Sequence, residues 1–167
     1  MAVPSYRLLV IDDSKRDILL LERILRQAED ATFTVSHVES ARAGLEELSN
    51  NTYDLVLLDY YLPDMDGIAF LQQKQTQGLT TPVIMLTAVG QERLPVAAMQ
   101  AGALDYFRKD ELNSSLLGKA IRQAIEKARL QASALADAAR LHDLEATIAR
   151  LQQQLQEMQA EKGSQSS

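Results

Sequence analysis

Cysteine is absent from the 167 residues, so no disulfide or thiolate-held metal can staple the chain, and a reducing, cytoplasmic address is the expectation. Long apolar runs are missing too. None approaches the roughly 18 residues that span a bilayer, and the opening MAVPSYRLLVIDDSK lacks a basic stretch followed by an apolar one. Neither membrane insertion nor secretion is expected. Basic charge is scarce, with 17 Lys and Arg against 23 Asp and Glu for a formal charge of −6. Without clustered Lys and Arg to neutralise phosphates, nucleic acid is not expected as a main partner. Glycine and proline vanish between Lys119 and Lys162, which removes every strong helix breaker from that stretch. What is present suits a folded domain with an appendage. About 120 residues can bury around two-thirds of their unfolded surface and need no covalent staple.

From Tyr6 to about Ala128, short apolar runs alternate with amphipathic stretches, the pattern of a parallel sheet covered by helices. Strands are expected at Arg7–Ile11, Thr34–Val38, Leu55–Leu58, Val83–Leu86 and Tyr106–Arg108. Helices are expected at Lys15–Glu29, Ala41–Leu48 and Ile68–Gln77, from Leu94 to Gly102, and after Asn113. Five strands alternating with five helices predict a doubly wound α/β fold with a five-stranded parallel sheet, whose ligands gather at the carboxyl ends of the strands. The breaker-free stretch extends the fifth helix to about 70 Å if it runs from Ser114 to Glu161. Leu141, Leu144, Ile148, Leu151, Leu155 and Met158 recur at alternating spacings of three and four, the seam of a coiled coil. Ile121, Ile125, Ala128, Ala132 and Leu135 have the same spacing in another register, which implies a break near Ala136 to Arg140. An Ala-rich solvent-exposed helix is the plainer alternative. The expected organisation is a domain over residues 1–128, a helical coiled-coil extension over 129–162 and a disordered tail over 163–167.

The strand RLLVI runs into Asp12-Asp13, and LVLL runs into Asp59. With those strands adjacent, three carboxylates meet at one sheet edge, where they repel one another unless they share a cation. Oxygen donors without His or Cys suit a hard ion, so Mg²⁺ is the expected cofactor. VIML ends at Thr87 and YFR at Lys109, adding a hydroxyl and an ammonium at the same edge. Such an array would orient and neutralise a transferring phosphoryl group, with Asp59 as the nucleophile that forms an acyl phosphate. Each piece alone is ordinary; their order, each on its own strand end, is what points to a site.

IDDS at Ile11–Ser14, LLDYYLPDMDG at Leu57–Gly67, MLTA at Met85–Ala88 and AGALDYFRKD at Ala101–Asp110 together resemble the receiver domain of two-component response regulators, over about residues 5 to 128. The resemblance implies a flavodoxin-like fold and a phosphoprotein that assists only its own phosphorylation and dephosphorylation. It implies Asp59 as phosphoacceptor, and a Mg²⁺ site made by Asp12, Asp13, Asp59 and the Tyr61 backbone carbonyl. It also makes Thr87 the switch hydroxyl, Lys109 the phosphate-binding lysine and Tyr106 the switch aromatic. A sensor histidine kinase is the implied partner, docking at the first helix, where Leu19 points away from the apolar face formed by Ile18, Leu20, Leu21, Ile24, Leu25 and Ala28.

Two departures stand out. Lys109 is followed by Asp110 rather than the family's cis-proline, so a trans bond is expected. Tyr61 and Val89 occupy the positions flanking the path of a hydrolytic water, which predicts a long-lived phosphoryl group. The expected output is homodimerisation through the C-terminal helix. Alternatives are an N-terminal fragment of a larger effector or hybrid kinase, and an aspartyl-phosphate phosphohydrolase, disfavoured because Tyr61 stands where those enzymes generally place a second acid. Asp64-Met65-Asp66-Gly67 resembles part of a calcium loop, but Leu62 and Gln73 would fall on its first and bidentate ligand positions. It reads better as the turn entering the third helix. His37 and His142 are too isolated to form a metal or phosphorelay pair.

Overall fold

The computed structural model describes residues 2–88 and 93–166. Val89 lies outside the described residues. The chain divides into two compact units, Met1–Lys127 and Ala128–Ser167.

In the first unit, β1 (Ser5–Ile11), β3 (Leu55–Asp59), β4 (Val83–Thr87) and β5 (Asp105–Arg108) join β2 (Thr32–Val38) in one parallel sheet of order β2-β1-β3-β4-β5. This is the doubly wound, flavodoxin-like arrangement. Every residue of β3 and β4 is buried, as strands covered on both faces must be. Side chains alternate across the sheet, so the core is two layers. Leu8, Val10, Leu55, Leu57, Ile84 and Leu86 pack against Ile18, Leu21, Ile24 and Leu25 of α1 (Lys15–Arg26) and Leu117, Ile121 and Ala124 of α5 (Ser114–Gln165). Leu9, Ile11, Val56, Leu58, Val83 and Met85 pack on the other side. Their partners are Leu45 and Leu48 of α2 (Ala41–Asn50), Phe70 and Leu71 of α3 (Gly67–Thr76) and Ala98 of α4 (Leu94–Gln100).

Polar residues fix where these helices begin. Ser14 and Ser40 accept from the third backbone N–H of α1 and α2, and Asp66 does the same for α3 at 2.8 Å. Gly67 sits at the start of α3 where space is tight: a Cβ there would lie 3.2 Å from the Tyr60 backbone and 2.9 Å from the flexible end of the Met85 side chain. Pro95 sits in the first turn of α4, and Gly102 leaves that helix with φ +107°.

Several expectations need correction. The first helix ends at Arg26 rather than Glu29, and Leu20 is 44% exposed rather than part of the buried face. α5 runs to Gln165 and carries Gly163 within it, where a disordered tail was expected from residue 163. Ile121 is buried in the first unit's core and Ile125 packs against it, so the earlier spacing series begins as the core-facing stripe of α5 rather than as a coiled-coil seam. In the second unit Leu141, Leu144, Ile148, Leu151, Leu155 and Met158 are all more than half exposed. The Lys109–Asp110 bond is trans, and Lys109–Glu111 forms a single turn of 3₁₀ helix.

Candidate functional site

Strand order dictates where the acids meet. β1 lies between β2 and β3, so the chain crosses over on opposite sides of β1 and leaves a crevice at the carboxyl ends of β1 and β3. Asp12 and Asp13 follow β1, and Asp59 is the last residue of β3. One oxygen from each lies within 4.8 Å of the others, the one such group of potential metal-ligating side chains among the described residues. Asp12 and Asp59 are buried while Asp13 is exposed, so the cluster opens to solvent on one side.

Lys109, just past β5, closes the cluster from the other side. Its Nζ is 2.6 Å from Asp12 Oδ2, 2.9 Å from Asp17 Oδ2 and 3.4 Å from Asp59 Oδ1. Burial disfavours its charge, but the hydrogen bonds to Asp12 and Asp17 outweigh that and hold its pKa above the usual lysine value. Asp59 shows the reverse balance. Burial pushes its carboxyl up to about 6, Lys109 pulls against this, and Asp12 adds repulsion in the same upward direction. One ammonium does not compensate three carboxylates in this pocket. A hard divalent cation bound by oxygens fits the donor set and would supply the missing positive charge.

Thr87 closes β4 fully buried beside this edge. Tyr106 on β5 is turned inward. Its hydroxyl is buried and makes no hydrogen bond of good geometry among the described residues. Burial raises its pKa, and the neighbouring Thr87 hydroxyl pulls it partly back. Tyr61, two residues past Asp59, is 47% exposed, bridges to Asp66 and sets its ring edge-on to Tyr60 with centroids 4.7 Å apart. Leu19, on α1 next to the cluster in sequence, is 64% exposed.

Sequence reading missed three participants. Asp17 is a second carboxylate on Lys109, and its only signal was its place in the first turn of α1. Leu20 adds to the exposed apolar surface at Leu19. Asp64 accepts from the backbone N–H groups of Ala41 and Arg42 at 2.9 and 2.8 Å, tying the loop after β3 to the start of α2. With Asp66 spent on capping α3, the calcium-like motif is structural.

Comparison with known proteins completes the picture. A family model described as response regulator receiver domain matches residues 8–122. The transcriptional regulatory protein DltR of Streptococcus agalactiae is 38% identical over 110 residues, covering 64% of this chain and 48% of its own length. The transcriptional regulatory protein FixJ of Bradyrhizobium diazoefficiens is 32% identical over 138 residues, covering 81% of this chain and 66% of its own. The chain therefore spans about half to two-thirds of these relatives. A receiver domain protein from Clostridium thermocellum superposes with a TM-score of 0.66 at 27% identity, covering 75% of this chain and 98% of that one. A solved fusion carrying the trimeric coiled coil of yeast Spc42 aligns over 93% of this chain and 99% of its own, with a TM-score of 0.66 at 25% identity.

Proposed function

The chain belongs to the response regulator receiver domain family, a family of signalling domains rather than classical enzymes, and from that membership we propose that it accepts a phosphoryl group on Asp59 from a sensor histidine kinase. The observation that carries this reading is the convergence of the Asp12, Asp13 and Asp59 oxygens within 4.8 Å, with the Lys109 ammonium 3.4 Å from Asp59. Asp12, Asp13, Asp59 and the Tyr61 carbonyl would hold Mg²⁺, which when bound screens the negative charge gathered on the carboxylates and the phosphoryl oxygens. Asp59 attacks phosphorus through one carboxylate oxygen. The new P–O bond makes an acyl phosphate, and the donor's P–N bond breaks with its electron pair returning to the imidazole. Lys109 supplies positive charge to the phosphoryl oxygens, and Thr87 offers them a hydroxyl donor. Tyr106 and Thr87 then carry the change to α4, β5 and α5 as a two-state element biased by local charge.

Acetyl phosphate with Mg²⁺ tests the acceptor. Labelling of the parent chain and none of Asp59→Asn is the expected result; equal labelling of both would remove Asp59 from the role.

Output runs through the C-terminal helix, whose exposed a/d stripe from Leu141 to Met158 suits self-association, a homodimer being the simplest assembly. The Spc42 fusion supports a coiled-coil reading of this segment. The greater length of the relatives favours a second reading, with this helix leading into a further segment. Because those relatives are named transcriptional regulators, the charge-based exclusion of nucleic acid applies to this chain alone. The length of the translated open reading frame separates the two readings.

A further inference from the structure

Lys109 is gripped from two sides, and one grip lies outside the metal cluster. Its ammonium donates to Asp12 Oδ2 at 2.6 Å and to Asp17 Oδ2 at 2.9 Å, while the Asp59 oxygen stands farther off at 3.4 Å. The other Asp12 oxygen, Oδ1, already accepts from the Ser14 backbone N–H at 2.9 Å. Oδ2, which holds the ammonium at 2.6 Å, is the Asp12 oxygen at which that ammonium would contend with a divalent cation.

Asp17 takes no part in that contest. The group of side chains able to share an ion consists of Asp12, Asp13 and Asp59 among the described residues. Asp17 is nevertheless well held. It lies in the first turn of α1, where the helix dipole favours a carboxylate, and its own N–H donates to Ser14 Oγ at 3.3 Å. An ammonium has three donors and no freedom to shed its charge here, so whatever holds one of them limits where the other two can point.

We propose that Asp17 is a positioning residue that anchors Lys109 from α1 and shares its ammonium with Asp12 and Asp59, which limits the ammonium's competition with a cation at Asp12 and restrains its grip on a phosphoryl oxygen at Asp59. The proposal rests on the phosphoacceptor reading and assigns Asp17 two effects of opposite sign. Without the anchor, Lys109 settles more fully on Asp12 and Asp59. The cation then meets a stronger competitor and one fewer negative charge nearby. An anionic group on Asp59 meets an ammonium shared with one fewer carboxylate, and less repulsion.

Two titrations of the full chain decide it: calorimetry with MgCl₂, and ¹⁹F NMR with beryllofluoride, a phosphoryl mimic, at saturating Mg²⁺. In Asp17→Asn, Mg²⁺ binding weakens and beryllofluoride binding tightens, each by about threefold to tenfold, the scale of one partly exposed charge-assisted contact. Asp17→Glu, which keeps the charge, returns both constants toward the parent values. Both constants moving the same way, or neither moving, overturns the proposal. A merely structural role would weaken both together. If Asp17→Asn does not fold, Asp17→Ser, another residue suited to a helix's first turn, must show the same opposed pair. Failure of the parent chain to bind beryllofluoride would sink the acceptor reading itself, and this inference with it; normal parent binding with an unaltered Asp17 variant sinks only the inference.

Discussion

The acceptor role proposed for Asp59 needs an ionised carboxylate, yet the pocket that shelters it shifts the balance toward the protonated form. Burial, set against Lys109 and reinforced by Asp12, raises its pKa from 3.8 to about 6. A carboxyl raised on folding binds its proton more tightly in the native state, so its stabilising contribution is complete below pH 3.8 and is lost as pH rises through about 6. In chelator, Asp59→Asn should therefore stabilise the chain at pH 7.5, by about 3 kcal/mol at most, with the gain fading below pH 6 and gone near pH 4. Urea unfolding across that range checks it, and a pH-independent difference would contradict the sign. Tyr61 poses a different question, one of access. Its half-exposed ring stands two residues past Asp59. Tyr61→Asn should speed loss of the phosphoryl group by opening space for a hydrogen-bonded water; decay of labelled protein measures this, and an unchanged or slower rate counts against it.

Carboxylates as well as the core tie elements together here. Asp64 satisfies two backbone donors at the start of α2 from a loop that belongs to the Asp59 edge. Slight burial works against its charge, but those donors hold its carboxyl below the usual carboxylate range, so its contribution is lost as pH falls through that lowered value. Asp64→Ala should cost about 1–2 kcal/mol near neutral pH, the usual cost of removing a helix cap, read from the shift of the urea midpoint. The outward face of α1 is the second case. Leu19 and Leu20 are 64% and 44% exposed on a helix whose inner face is fully used. Leu19→Glu should slow transfer from the cognate kinase while leaving acetyl phosphate labelling intact; if both rates fell together, the docking role would fail. The α1 periodicity identified Leu19 as outward but put Leu20 inside. A broad apolar arc overestimates burial at its margin, where only the packing of the sheet beneath decides.

At the scale of the whole molecule, one helix serves two units. Its first turns supply Leu117, Ile121 and Ala124 to the core, and its later turns leave a leucine-rich stripe exposed. A lone helix bearing such a stripe gains little from propensity, and under the proposed self-association a second copy would bury it. Sedimentation of the full chain should show concentration-dependent self-association that Ile148→Lys abolishes without altering Asp59 labelling. A parent chain that stays monomeric at all concentrations would reject the coiled coil and favour the solvent-exposed helix.

Period and punctuation in the sequence determined the sheet, its helices and the strand ends on which Asp12, Asp13, Asp59, Thr87 and Lys109 stand, because hydrophobic alternation and helix caps are local signals. Partnership across distance was another matter. That Lys109 reaches Asp17 across 92 positions of sequence, that Asp64 caps a helix 22 and 23 residues behind it, and that Ile121 faces a core rather than a seam were decided by the tertiary fold alone. Such contacts depend on which elements the sheet order makes neighbours, and no local pattern records that.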